Sequence, residues 1–108
     1  MDNTPSHHNV EIAFEVAKKL DFLPEKFNSK VLFREEGFLL TLMALLENQE
    51  IPVHKTPRNA YLYCIEGEAF VNIGGTDYPL KMGEIILLPK DILHGVKAIE
   101  KTKLLLLK

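Results

Sequence analysis

The stretch GEIILLPKDILH, residues 83 to 94, is the most informative in the chain. It opens on a turn glycine, Gly83, and continues through an apolar run from Ile85 to Leu88. Pro89, Asp91 and His94 follow in quick succession. So short an apolar run, bounded by turn residues, reads as a strand.

Runs of the same kind recur on both sides of it. KVLFR, FLLTLMALL, AYLYCIE, EAFVNI, DYPL, EIILLP, GVKAI and TKLLLLK are separated by turn residues from residue 30 to the last. Regular spacing of this kind predicts a sandwich or barrel of antiparallel strands. Gly74-Gly75 between FVNI and TDYPL is a two-residue hairpin signal, because both positions can take positive φ. Gly67 and Gly83 mark further turns or bulges. FLLTLMALL and TKLLLLK are leucine-rich, yet each is bracketed by strand-like segments, and the second is too short for an independent helix. Both are read as strands. Their near-continuous hydrophobicity means that both faces are covered, and the simplest cover is a second copy of the chain. A homodimer is therefore expected.

The N-terminal part differs. Residues 1 to 9, MDNTPSHHN, are polar and read as a loose terminus; His7 and His8 have no further ligands beside them and read as a solvated tail. FEVAKKL, Phe14 to Leu20, fits a short helix of about two turns, ended before Pro24. The expected division is an N-terminal tail and helix over residues 1–29 and one β domain over residues 30–108.

A chain of 108 residues holds one core and not two. The net charge of −2 comes from acids and bases mixed along the chain, so no basic face is built for nucleic acid. Cys64 is the single cysteine, which excludes an internal disulfide. No basic-plus-apolar leader is present, and the longest apolar run, Phe38 to Leu46, is broken by Thr41 and far short of the roughly 20 residues that span a bilayer. A cytoplasmic protein without a membrane partner is the expectation.

Residues 83 to 94 resemble the second motif of the cupin family: glycine, five residues, proline, one residue, glycine, two residues, histidine. Gly83, Pro89 and His94 fall in register, and Asp91 stands at the inner glycine. Aspartate tolerates the left-handed conformation better than most residues. The first motif of the family is recognisable by its frame alone. Gly67 anchors its end and His54 fits its first histidine. Asn48 stands at the opening glycine, Thr56 at the second histidine and Ala60 at the glutamate. The fifteen residues between Gly67 and Gly83 are similar to the shortest spacing between the two motifs in the family.

The resemblance implies an all-β fold, an antiparallel, jelly-roll-like cupin β-barrel with a pocket inside. It also implies a divalent metal on three histidines and a glutamate, of which this chain matches two, His54 and His94. A transition metal usually takes at least three protein ligands. The Thr56 hydroxyl is a poor ligand, Ala60 offers none, and Asn59 neighbours the glutamate position and points to the other face of the strand. Counting in twos from Ala60 puts Leu62 and Cys64 inward, but Cys64 lies roughly 13 Å along the strand. It reads as a small apolar core residue. Any Zn, Ni, Fe or Mn on His54 and His94 is then weakly held. Tyr61 and Tyr63, out of phase with Ala60, face the other layer or a subunit interface.

Two readings of function remain, beside a purely structural role as a dimeric scaffold. One is a barrel whose pocket, lined by His54, Thr56, Ala60 and His94 with apolar side chains of FLLTLMALL and EIILL, binds a small, mostly apolar molecule bearing one polar or anionic group. The other is a metal-dependent enzyme (dioxygenase, isomerase or decarboxylase) built on the two histidines, with substrate or water completing the metal. The first is favoured, because loss of the glutamate removes both a ligand and the charge that would repel an anion.

Overall fold

The computed structural model describes residues 12–108. Among these, nine strands follow a single 3-10 turn at Val16–Lys19. They are β1 (Asn28–Glu35), β2 (Phe38–Leu45), β3 (Glu50–His54), β4 (Ala60–Glu66), β5 (Glu68–Ile73), β6 (Thr76–Lys81), β7 (Ile85–Leu88), β8 (His94–Ala98) and β9 (Thr102–Leu107). Every pairing is antiparallel. One sheet has the order β1-β2-β9-β4-β7 and the other β3-β8-β5-β6. From β2 onward the chain changes layer at every connection except the β5–β6 hairpin, and the two inner faces enclose one core. Both leucine-rich runs are strands, as the sequence predicts.

Alternation fixes which side chains enter that core. Met43 and Leu45 of β2, Leu62 and Cys64 of β4, and Leu104 of β9 meet Ala69 and Val71 of β5, Leu80 of β6, and Val96 and Ala98 of β8. Cys64 is fully buried, and its thiol points at the carbonyls of Glu66 and Gly67, 3.3 and 3.5 Å away. Burial pushes its pKa up to about 11, so the thiolate is not populated near neutrality and the side chain acts as a small apolar filler.

The expected two-turn helix is one 3-10 turn. Glu15 precedes it without a capping side-chain bond, and Leu20 has returned to extended backbone; with no cap, a nucleus this short does not propagate. The segment around it covers part of the outer face of the five-stranded sheet. The Lys103 amine donates to the Ala17 carbonyl and lies 4.9 Å from the centre of the Phe22 ring. Phe14 meets Phe33 of β1, with ring centroids 6.2 Å apart. Phe33 pairs with Leu40, and Lys103 with Ala44, so these contacts lie on the face that Leu42 also presents. Leu42 and Ala44 are fully buried in the single chain. The second face of β2 is therefore covered from within, where the sequence alone points to a second copy.

Turns behave as their residues dictate. The Ile73–Thr76 hairpin turns on Gly74 and Gly75 at φ 59° and 93°. At Gly67, φ is 82°, and a Cβ would stand 2.1 Å from the Lys101 carbonyl and 2.7 Å from Thr102 Oγ1. That single residue carries the chain from β4 in one sheet to β5 in the other. Among the described residues no helix is long and apolar enough to cross a membrane.

Gly67→Ala is expected to lower stability by about 3 kcal/mol or more, since backbone must move to admit the methyl. Gly37→Ala, at φ 75° with nothing within 4 Å, should cost only the left-handed backbone term of about 1–2 kcal/mol. Urea midpoints of the two variants check the difference.

Candidate functional site

His54 ends β3 and His94 begins β8, and the two are directly opposed across the strands. Simple alternation does not put them there. Ile51 opposes Val96, and from that pair a regular ladder would bring Val53 to His94. The register slips by one residue between Ile51 and His54. This is a β-bulge at Pro52–Val53, on an edge strand where a proline's missing N–H costs no ladder bond. The extra residue turns Val53 out, 57% exposed, and brings His54 onto the inner face with His94.

Gly95 makes the bulge possible. A Cβ there would meet Val53 Cγ2 at 3.0 Å and the Ile51 carbonyl at 3.1 Å. The neighbouring strand needs that space. A glycine directly after the motif histidine is the signal that marks it.

The imidazoles meet edge to face, with centroids 4.6 Å apart. His54 is exposed at the rim, and its Nδ1 lies 2.9 Å from the Pro52 carbonyl. A carbonyl only accepts, so Nδ1 carries the proton and, in the neutral ring, Nε2 keeps its lone pair. His94 is 4% exposed, and its Nε2 is fully buried with no hydrogen-bond partner among the described residues. Leaving such a group unsatisfied costs roughly 1–3 kcal/mol. Burial lowers the pKa of His94 below its ordinary 6.5, and the nearby His54 and Lys108 push in the same direction. Lys108 follows β9 and pairs with Leu39 by two backbone bonds, 2.7 and 3.0 Å. Nothing in the motifs draws attention to this cation.

The other two expected pocket residues sit differently. The Thr56 hydroxyl donates to the Arg58 carbonyl, 2.8 Å away, and the Thr56 carbonyl accepts from the Asp91 N–H, 2.8 Å. Thr56 thus pins the turn before His94. Asn59 helps, its Oδ1 accepting from the Lys90 N–H at 2.9 Å. Ala60 is 1% exposed and opposes Leu88 within the core. It contributes shape and no polar atom. Asn48 and Asp91, which stand where the family motifs have glycine, adopt φ 69° and 62°. Both replacements keep the left-handed turn through residue types that tolerate it.

Among the described residues no group of three or more histidine, cysteine, aspartate or glutamate side chains could hold a metal ion. Two imidazole nitrogens do not make the set a resident divalent ion requires. His7 and His8 lie outside the described residues.

The cupin domain model matches residues 41–107, and the chain belongs to that family. Among solved structures it is similar to a conserved Streptococcus pyogenes protein of unknown function, at 28% identity and TM-score 0.73, over 87% of this chain and 88% of that one. A protein from Thermus thermophilus is similar at 28% identity and TM-score 0.80, over 88% and 93% of the two chains. A cupin 2 conserved barrel domain protein from Leptotrichia buccalis is similar at 28% identity and TM-score 0.82, over 87% of this chain but 46% of that one. No curated protein matches the chain.

Gly95→Ala should cost about 1–3 kcal/mol and displace Val53, which carries the bulge. The changed ring contact would appear in the histidine resonances of a proton spectrum. A second expectation concerns acid. Below pH 6.5 the unfolded chain takes up a proton that folded His94 resists, so unfolding binds protons and acid favours it. Thermal melts of wild type and His94→Gln should differ by a constant amount above pH 6.5 and move against the wild type as pH falls below it.

Proposed function

We propose that this cupin barrel binds a small, mostly apolar molecule and presents His94 Nε2 to its one polar or anionic group. The buried, unpartnered Nε2 of His94 carries this reading. A ligand oxygen beside it would satisfy the ring, which donates or accepts according to its protonation. The surroundings favour a negative group. Lys108 contributes positive charge at His94, while the position of the family glutamate is the methyl of Ala60. His54, at the rim, supplies a second imidazole whose orientation the Pro52 carbonyl fixes. The role of such a barrel is recognition; the fold by itself does not specify a reaction.

The test uses benzoate and hexanoate with their neutral amides as probes, measured by calorimetry. The acids should bind more tightly than the amides, and His94→Ala should weaken them roughly tenfold or more, the loss of a charge-assisted hydrogen bond. Anion affinity should rise from pH 7.5 to pH 5.5, because the bound charge favours the imidazolium. A metal would show the opposite slope, since a ligating imidazole must be deprotonated. Sub-micromolar zinc, nickel, iron(II) or manganese binding, one per chain and abolished by His54→Ala with His94→Ala, would replace this reading with the metal-dependent enzyme.

A further inference from the structure

A groove opens at the end of the five-stranded sheet where β2 and β4 begin and β9 ends. Its volume is about 360 Å³, which suits a ligand of one ring and one head group. Phe38, Tyr61 and Leu107 supply apolar wall, and Tyr61 and Leu107 are direct cross-strand partners. Phe38 is 39% exposed and Tyr61 45%, so both rings are open to a ligand. Gly37 keeps one end of the groove clear, with nothing within 4 Å of the place a Cβ would take.

The polar side chains of this groove offer donors. Arg58 and Lys108 are its charged groups, and no carboxylate side chain lines it. Among the described residues neither cation has an ion-pair partner. Asn59 lines the groove as well, and its Oδ1 is spent on the Lys90 N–H at 2.9 Å, which leaves its amide hydrogens to donate. The Tyr61 hydroxyl is a further donor. The backbone beneath is fixed. The Arg58 carbonyl accepts from the Thr56 hydroxyl at 2.8 Å, and Lys108 pairs with Leu39 by two main-chain bonds.

We propose that this groove is a second binding site, separate from the histidine pair, for a phosphate monoester whose substituent is an aromatic ring. The charges select the head group. A carboxylate brings one charge and two oxygens, and would leave one of the two cations unmatched. A phosphate monoester brings about −1.5 to −2 charges near neutrality and three acceptor oxygens. The Arg58 guanidinium can take two of these oxygens at once, while Lys108 acts as a point charge. The walls select the substituent, because Phe38 and Tyr61 present ring surface on which another ring stacks. The site does not rest on the reading of the histidine pocket.

Titration of the full chain with phenyl phosphate, followed in amide proton–nitrogen spectra, tests this. Shifts should saturate at one molecule per chain and centre on Gly37, Arg58, Asn59 and Tyr61. Inorganic phosphate, which lacks the ring, should bind roughly two- to tenfold more weakly. Arg58→Ala should weaken phenyl phosphate roughly tenfold or more, the loss of a bidentate charged contact. Arg58 is exposed, so the variant should keep the strand-type circular dichroism of the wild type. Lys97→Ala removes the same charge from the four-stranded sheet and should leave the affinity unchanged. Three results would overturn the proposal. They are no saturable shift, an equal loss in Arg58→Ala and Lys97→Ala, and shifts centred on His54 and His94. The last would place phenyl phosphate in the barrel, which ends this proposal and leaves the histidine pocket standing.

Discussion

Both sheets take their spacing from the corner at Gly67. Here the chain leaves one sheet and enters the other across one residue, between Glu66 of β4 and Glu68 of β5. The backbone of Lys101 and Thr102 passes so close that no side chain fits. Thr102 closes the corner chemically. Its hydroxyl lies 2.9 Å from the Glu68 carbonyl and 2.7 Å from that of Glu100, and its oxygen accepts from the Glu68 N–H at 3.2 Å. One buried hydroxyl thus ties the start of β5 to the start of β9. Because β9 sits at the centre of the five-stranded sheet, this contact fixes the separation of the layers and hence the width of the core.

From that frame the histidine pair follows by a second local irregularity. The β3 strand carries one residue more than its partner, and Gly95 leaves the space the surplus needs. The result is an imidazole at the rim and another sealed inside, with burial and the neighbouring His54 and Lys108 lowering the pKa of the inner ring. In this pair one ring is oriented by a carbonyl and the other keeps a buried nitrogen without a partner among the described residues. A single polar ligand atom is enough to satisfy it.

The two faces of the large sheet show how a short chain manages hydrophobic strands. The inner face is filled by the other sheet. On the outer face, Lys103 of the central strand β9 and Phe33 of β1 hold the segment before β1 against the sheet. Lys103 is buried with its amine on a carbonyl and an aromatic face, which compensates a cation that burial would otherwise penalise.

The strand inventory and the family are legible in the residues alone. Short apolar runs between Gly67, Gly74-Gly75 and Gly83 leave little room for helices, and the spacing of Gly83, Pro89 and His94 places the barrel motif. Local signals suffice there because turn chemistry and strand period are local properties. Alternation also places Ala60, Leu62 and Cys64 inward and both tyrosines outward, as the structure has them. The facing of His54 is different. Its frame matches the family, but nothing in its neighbourhood reveals the bulge, which exists because β3 must register against a strand far along the chain. The bond from the Asp91 N–H to the Thr56 carbonyl is likewise invisible in the motif frame, because it joins a residue of the first motif to one of the second. The cover of Leu42 and Ala44 is invisible for the same reason: continuous hydrophobicity says that two faces are buried, and only the path of the chain decides what buries them.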